Sequence, residues 1–386
     1  MRCALFFIVL VFLPSALQAQ KLEEERKLTF NGYLKEMVTL SFSDDSTLFD
    51  NLIHNRMNFK WSPNDHFNAY VEVRTRVFTG DLVQALQGNE NPMFPSYSEL
   101  IDVNNDFFDL SWVIVDEEKI VIHTMLDRAY VEWMKGDWEI RAGRQRINWG
   151  TNLVWNPNDL FNAYSFFDFD YEERPGSDAL RVKRYTGFAS SIEVAANFSD
   201  DFDEMVIAGL WQFNKNNYDI QFIAGKSRAD IVIGSGWAGN IKKAGLKGEI
   251  SYFIPYNKDI SEEALLASIS ADYSFKNSLY LHGSVLYNSL GERNPDNTFF
   301  VIESRRLTAK ELSPYTFSTF FQLAYTFHPL LNGGMAVIYY PGNHDVFFNP
   351  SVTVSLGKNI DLDVIGQLFY SSINSQALFT RLKWSF

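Results

Sequence analysis

Residues 376–386 read QALFTRLKWSF. Leu378, Thr380, Leu382, Trp384 and Phe386 alternate with Phe379, Arg381, Lys383 and Ser385. A period of two is the period of a β-strand whose faces meet different surroundings. One face here is apolar or neutral and ends on Phe386, while the other carries two cations. Which environments these faces meet depends on the rest of the chain.

The other end reads MRCALFFIVLVFLPSALQAQ. Arg2, the apolar run from Ala4 to Leu13 and the small-residue exit from Ser15 to Ala19 have the form of a secretory signal, too short to cross a bilayer as a helix. Cleavage is expected after Ala19, leaving residues 20–27 as a short periplasmic segment and 28–386 as the structural unit. Cys3 is the only cysteine, so the mature chain has neither a disulfide framework nor a Cys-based metal site. With such a signal in front, the final strand resembles the closing strand of Gram-negative outer-membrane barrels, where a terminal Phe serves as the assembly signal. The resemblance implies residence in the outer membrane of a Gram-negative bacterium. It also implies contact with membrane lipid and lipopolysaccharide, and with the barrel-assembly machinery.

Composition agrees with a barrel. The chain holds 34 Phe, 18 Tyr and 9 Trp, and no unbroken apolar run long enough for a membrane helix follows the signal. The net charge of −13 argues against nucleic-acid binding. Alternation marks strands at 28–42, 50–61, 66–78, 122–134, 137–148, 178–186, 190–198, 205–214, 217–226, 229–238, 243–253, 263–274, 278–288, 314–328, 332–341, 346–356, 359–370 and 375–386. These make an all-β, antiparallel up-and-down transmembrane barrel of about 18 strands. Sixteen is the alternative, because 178–198 and 229–253 are the weakest pairs. The connections test the count: with the N-terminus in the periplasm, every second connection is a short turn, and the long ones (79–121, 149–177 and 289–313) fall on the opposite side.

In a barrel the polar face of each strand points inward. Arg56, Glu72, Arg74, Arg76, Arg128, Glu132, Arg141 and Arg181 then line one wall, strongly cationic with acids interleaved. Charges turned to lipid would cost about 2–4 kcal/mol each near the midplane. Arg144 and Arg146 are out of phase with Arg141, which predicts a bulge near Gly143 or a position above the membrane, where phase no longer matters. The later strands offer Ser268, Ser270, Ser318, Gln322, Ser351, Thr353 and Ser355 instead, a mild hydroxyl-rich wall.

Residues 149–177 are too apolar for a loop left in water. Trp149, Trp155, Asp159, Tyr164, Asp168, Asp170 and Glu172 are expected to fold into the barrel as a constriction, with the acids against the arginine wall and the aromatics filling the cross-section. Asp159 is placed to cap a short helix running to Tyr164. The segment LDRAYVEWMKGDWEIRAGRQRINWG followed by NPND resembles the hairpin of alginate-export-like outer-membrane barrels and of a related barrel family of unknown function. The residues carrying it are Arg128, Tyr130, Glu132, Gly143, Arg144, Gln145, Trp149, Gly150, Asn156, Pro157 and Asp159, within roughly 122–253. It implies an 18-stranded, arginine-lined conduit for anionic polysaccharide. This chain differs in pairing many arginines with acids and in its acidic external loops.

The function expected is a porin-like channel for small anionic or sugar-like solutes, with no enzymatic activity, no metal and no cofactor. The alternative is a plugged barrel acting as a structural or assembly component of an outer-membrane protein complex, suggested by the long acidic segment 79–121 with Phe107, Phe108, Trp112 and Ile114. A barrel hydrolase is a remote third reading, resting on the dipeptide His344-Asp345.

Overall fold

A computed structural model describes residues 27–42, 46–88, 95–102, 107–163, 176–292, 307–371 and 374–386. The alternating segments all form strands. They are β1 (Leu28–Phe42), β2 (Thr47–Asn64), β3 (Phe67–Gly80), β4 (Ser111–Glu117), β5 (Ile120–Lys135), β6 (Trp138–Gln145), β7 (Ser177–Gly187), β8 (Ser190–Asn197), β9 (Val206–Lys215) and β10 (Tyr218–Ser227). There follow β11 (Asp230–Ile241), β12 (Ala244–Pro255), β13 (Ala264–Ser274), β14 (Leu279–Asn288), β15 (Phe317–His328), β16 (Leu331–Tyr340), β17 (Asp345–Gly357), β18 (Ile360–Tyr370) and β19 (Ser375–Ser385). Each pairs antiparallel with its neighbours, and β19 pairs back onto β1 from Tyr33↔Ser385 to Phe42↔Gln376. The sheet is therefore closed. All strands but β4 form the wall, which makes it an 18-stranded barrel and excludes sixteen.

β4 was not anticipated as a strand. It pairs only with the upper part of β5, on the edge opposite β3, and raises a hairpin above the barrel rim. Two short helices precede it, α1 (Asp81–Gln87) and α2 (Tyr97–Ile101). Ser96 and Glu99 form a capping box at the start of α2. Val83, Tyr97 and Ile101 pack on Phe78 and Val121, and burial pushes the Tyr97 hydroxyl up to about 12.

The tight turns follow local chemistry. Asn216 and Asn217 join β9 to β10 with φ of 55° and 63°, the mirror-image geometry that matches strand twist. Outward side chains are apolar and form aromatic bands. Phe30 lies 5.0 Å from Phe59 and 5.6 Å from Phe386, and Phe386 lies 5.2 Å from Trp384, so the terminal Phe joins the girdle on the short-turn side.

Two irregularities shape the inner face. Between Glu72↔Arg128 and Val73↔Leu126 the register of β3 and β5 slips, so Asp127 is an extra residue. The bulge turns both Asp127 and Arg128 away from solvent, at 2% and 7% exposure. The second is at Gly143, whose φ is 115°; its register with β5 and β7 runs on unbroken, so the expected bulge is not formed, and beyond it Arg144 and Gln145 are both buried.

The apolar core lies inside the lumen, between the wall and the segments folded against it. Ile147, Trp149, Leu160 and Phe161 pack with Leu210, Ile223, Val232, Phe253 and Leu266 of β9–β13. Val154 and Trp155 pack with Tyr315, Phe320, Ile338 and Phe347. Leu312 touches both clusters, so residues 307–316 help fill the same side.

Candidate functional site in the barrel lumen

The inner wall carries two different surfaces. On β18, β19 and β1–β8 it is a ladder of alternating charge. Asp363 holds Arg381 at 2.9 Å. Lys383 and Lys35 lie over the Tyr33 ring at 4.6 and 5.3 Å. Arg56 bonds Glu72 and Asp127, and Arg74 reaches Asp127 at 3.1 Å. Glu132 and Glu139 hold Arg141 at 2.7 and 3.0 Å, Glu139 also holds Arg181 at 3.2 Å, and Arg181 bonds Glu193 at 2.7 Å. Arg128 donates to the Asp127 carbonyl at 2.7 Å and Arg76 to His123 Nδ1 at 3.1 Å. All eight lumen residues anticipated from the sequence thus lie on this wall. Among the described residues, the arginines take wall acids, a carbonyl and a histidine as partners. Asp127 and Glu193, which complete the ladder, escaped the sequence reading.

Tyr70 and Tyr130 stack at 4.6 Å on this wall, with Lys60 over one ring at 5.5 Å and Arg141 over the other at 5.7 Å. Partner arginines and ring faces hold each other in place here, since cation–π contact adds to the ion pairs.

The opposite wall, on β8–β14, receives the loop. Its centre is Glu249 on β12, only 1% exposed. The backbone N–H groups of Thr151, Asn152 (2.9 Å) and Asn158 (3.0 Å) donate to its carboxylate, and so does the Thr151 hydroxyl at 2.9 Å. Charge-assisted bonds of this kind are the strong ones. Around it Asn152 donates to Ser268 at 2.5 Å and accepts from Ser270 at 2.7 Å. Ser251 donates to Asn158 Oδ1 at 2.7 Å, Asn158 Nδ2 donates to the Ser235 carbonyl at 3.0 Å, and Gly234 and Gly236 leave room for that amide. Trp149 Nε1 donates to Glu193 at 2.7 Å, linking the loop to the end of the ladder.

The loop therefore enters the barrel as expected, but its described part docks on the hydroxyl-rich wall rather than the arginine wall. The physical reason is backbone accounting: a non-helical segment buried in the lumen must satisfy its N–H and C=O groups, and Ser, Asn and Glu side chains do so. No helix follows Asp159 among the described residues. Pro157 and Asn158 make a turn, and Asp159 instead accepts from the Trp149 N–H at 3.4 Å. Trp149 and Trp155 are 3% and 6% exposed, so they pack and present no ring face to a solute. Tyr164, Asp168, Asp170 and Glu172 lie outside the described residues.

A Ser–His–Asp cluster sits at the rim. Ser111 donates to Asp102 and lies 2.8 Å from His123 Nε2, which lies 3.2 Å from Asp102. Arginine cannot accept, so His123 Nδ1 must accept from Arg76 and Nε2 carries the proton. Such a histidine cannot take a proton from Ser111; the cluster ties the β4 hairpin to the wall. His344 and Asp345 likewise take separate partners, Tyr339 at 2.7 Å and Tyr315 respectively.

A closed antiparallel barrel with an apolar exterior, aromatic bands and a polar, partly filled interior is a transmembrane β-barrel of the outer-membrane porin type. Among solved structures, OccK11 (OpdR) of Pseudomonas aeruginosa aligns with a TM-score of 0.57 at 8% identity, over 93% of this chain and 96% of that one. OccAB4 of Acinetobacter baumannii aligns with a TM-score of 0.56 at 10% identity, over 94% and 99%. OccK5 (OpdH) of P. aeruginosa gives 0.57 at 8% identity, over 92% and 98%. At these identities the likeness is one of fold. No family model matches the chain, and no curated protein does.

Proposed function

We propose that the chain is an outer-membrane channel for small solutes, and that carboxylate-bearing or sugar-like solutes pass along the acid–arginine ladder. The observation that carries this reading is the division between the two walls. Residues 149–162 and 307–316 occupy the β8–β17 side, whereas on the ladder Arg141 and Glu72 keep 26% and 25% of their side-chain surface exposed. A solute carboxylate meeting Arg141 exchanges with Glu132 or Glu139 instead of filling an empty site. Exchange keeps binding weak, and conduction requires that a solute leave as readily as it enters. The stacked pair Tyr70 and Tyr130 offers a ring platform beside it, the arrangement that suits a sugar face. Arg76 and Arg181 continue the track, and the buried Arg56, Arg74 and Arg128 add positive charge behind it. A relation to alginate-export-like barrels belongs to the same proposal and rests on residues 122–253.

The test is single-channel conductance in a planar bilayer with the K⁺/Cl⁻ reversal potential. Steady conductance with anion preference supports the reading. Silence that persists after deletion of Asn156 to Glu173 refutes it. A second reading, a plugged barrel that serves as a platform, is favoured by one feature: Trp112 and Ile114 on β4 are 46% and 62% exposed above the rim. Stoichiometric co-purification of a second protein, lost when the hairpin is removed, would support it.

A further inference from the structure

Side chains that face lipid between the two aromatic bands should be uncharged, because an ionisable group in hydrocarbon is costly. β1 breaks this rule. Its outward positions include Phe30, Leu34, Glu36, Val38, Leu40 and Phe42. Glu36 lies midway between Phe30 and Phe42, two rings 51% and 41% exposed that mark the edges of the apolar band. Its carboxylate is exposed on the outer face, where it accepts from Asn51 Nδ2 at 3.0 Å. By register Asn51 and Asn55 of β2 and Thr380 of β19 share that face, opposite Val38, Leu34 and Val38 respectively. The outward cations of the described strands, among them Lys135, Arg184, Lys215 and Lys226, lie near strand ends; Arg184 and Lys226 sit over the rings of Trp138 and Phe202.

The same sector is dented. Pro350 has no N–H to give, pairing of β17 with β18 lapses between Phe348↔Leu368 and Ser351↔Ile365, and Gly366 has no side chain. The result is an outward recess of ≈ 350 Å³ lined by Pro350, Val352, Val364, Leu368 and Leu378.

We propose that this sector, β17–β19 with β1 and β2, is a self-association surface that receives a second copy of this chain. The axis would be a two-fold along the membrane normal, close to Glu36. An isologous contact needs a patch complementary to its own image. This one supplies an acceptor, Glu36, and amide donors, Asn51 and Asn55, on adjoining strands. Across the two-fold the carboxylate of each copy accepts from the amides of the other, which removes it from hydrocarbon. An acyl chain could fill the recess but has no donor for the carboxylate. The proposal is independent of whether the lumen conducts.

The test uses the protein in its native membrane. Cys3 is the sole cysteine, in the expected signal, so introduced cysteines act alone. Leu34→Cys and Thr380→Cys are compared under oxidation with Ile269→Cys and Val285→Cys, outward positions on β13 and β14. The expected result is a covalent species of twice the monomer mass for the first pair and monomer for the second. Adding Glu36→Leu to Thr380→Cys should reduce that species by about tenfold, the effect of losing a hydrogen bond to a charged group; Glu36→Gln serves if the Leu variant fails to assemble. Equal cross-linking at all four positions, none at any, an adduct of another mass, or indifference to Glu36 would each overturn the proposal.

Discussion

Replacing Glu249 with Ala should release the lumenal loop. Three loop N–H groups, from Thr151, Asn152 and Asn158, and one hydroxyl converge on this carboxylate in a site that is 1% exposed. Leaving a buried N–H without a partner costs about 1–3 kcal/mol. Three orphaned groups therefore amount to about 3–9 kcal/mol, with the lower figure applying if lumen water reaches them. Even about 3 kcal/mol shifts a docked-to-free equilibrium by roughly a hundredfold. Gln keeps one acceptor oxygen and turns its NH₂ toward the donors, so Glu249→Gln should fall between Ala and the native residue. Two readouts report the release. Chymotrypsin added from outside should cut at Trp149, Trp155 or Phe161, which are 3%, 6% and 9% exposed in the native protein. Single-channel conductance should rise in the same order, Ala above Gln above native. The barrel itself should remain folded, as judged by its heat-dependent gel mobility. A Glu249→Ala protein with native conductance and native protease resistance would refute the claim that this carboxylate holds the loop.

Three further outcomes follow from the ladder, the bulge and Gly143. Replacing Arg74, Arg128 and Arg141 together with Ala leaves Asp127, Glu132 and Glu139 in place, so the K⁺/Cl⁻ reversal potential should move toward cation preference; an unchanged potential in a conducting protein would show that these arginines do not face the permeant path. Arg56→Ala removes a partner from Asp127, a carboxylate 2% exposed, and should lower unfolding stability by about 3 kcal/mol, the low end for a broken buried pair because Arg74 still reaches it. The denaturant midpoint in detergent checks this. Gly143→Val places a branched side chain at φ 115° with its Cβ against the Ala129 carbonyl, and should cost about 1–3 kcal/mol from the backbone conformation alone. Folded yield in refolding should fall accordingly, whereas Ala142→Val, on the outward face of the same strand, should leave it unchanged.

Much of the fold was legible because a barrel writes its two environments into every second residue. His54, Arg56, Asn58 and Lys60 against Ile53, Met57, Phe59 and Trp61 suffice to orient β2, and the same reading orients β3 and β7. β4 was hidden because Ser111–Glu117 is a short strand inside a long connection, paired only with β5 and outside the 18-stranded wall. The bulge at Asp127 was hidden for another reason. One inserted residue leaves both flanking patterns intact, and a 16-residue strand with one phase slip still reads as alternating. At Gly143 the out-of-phase Arg144 suggested a bulge, but the register is unbroken and Arg144 is instead buried against Asp178.

The site was half legible. That residues 149–162 turn inward follows from their apolar content, which a sequence displays. Where they dock does not, since it depends on which wall can satisfy backbone groups. Charge pattern suggested the arginines, yet these already have partners in Asp127, Glu132, Glu139 and Glu193. Arginine only donates, so it cannot satisfy orphaned N–H groups, which need acceptors. Glu249 and the serines of β12 and β13 offer those acceptors and are otherwise unclaimed. Glu249 also lies on a strand that otherwise looks mild, so in the sequence it reads as one more lumenal acid. The structure makes it the acceptor that a buried, non-helical segment requires, and this requirement leaves the ladder on the opposite wall uncovered by that part of the loop.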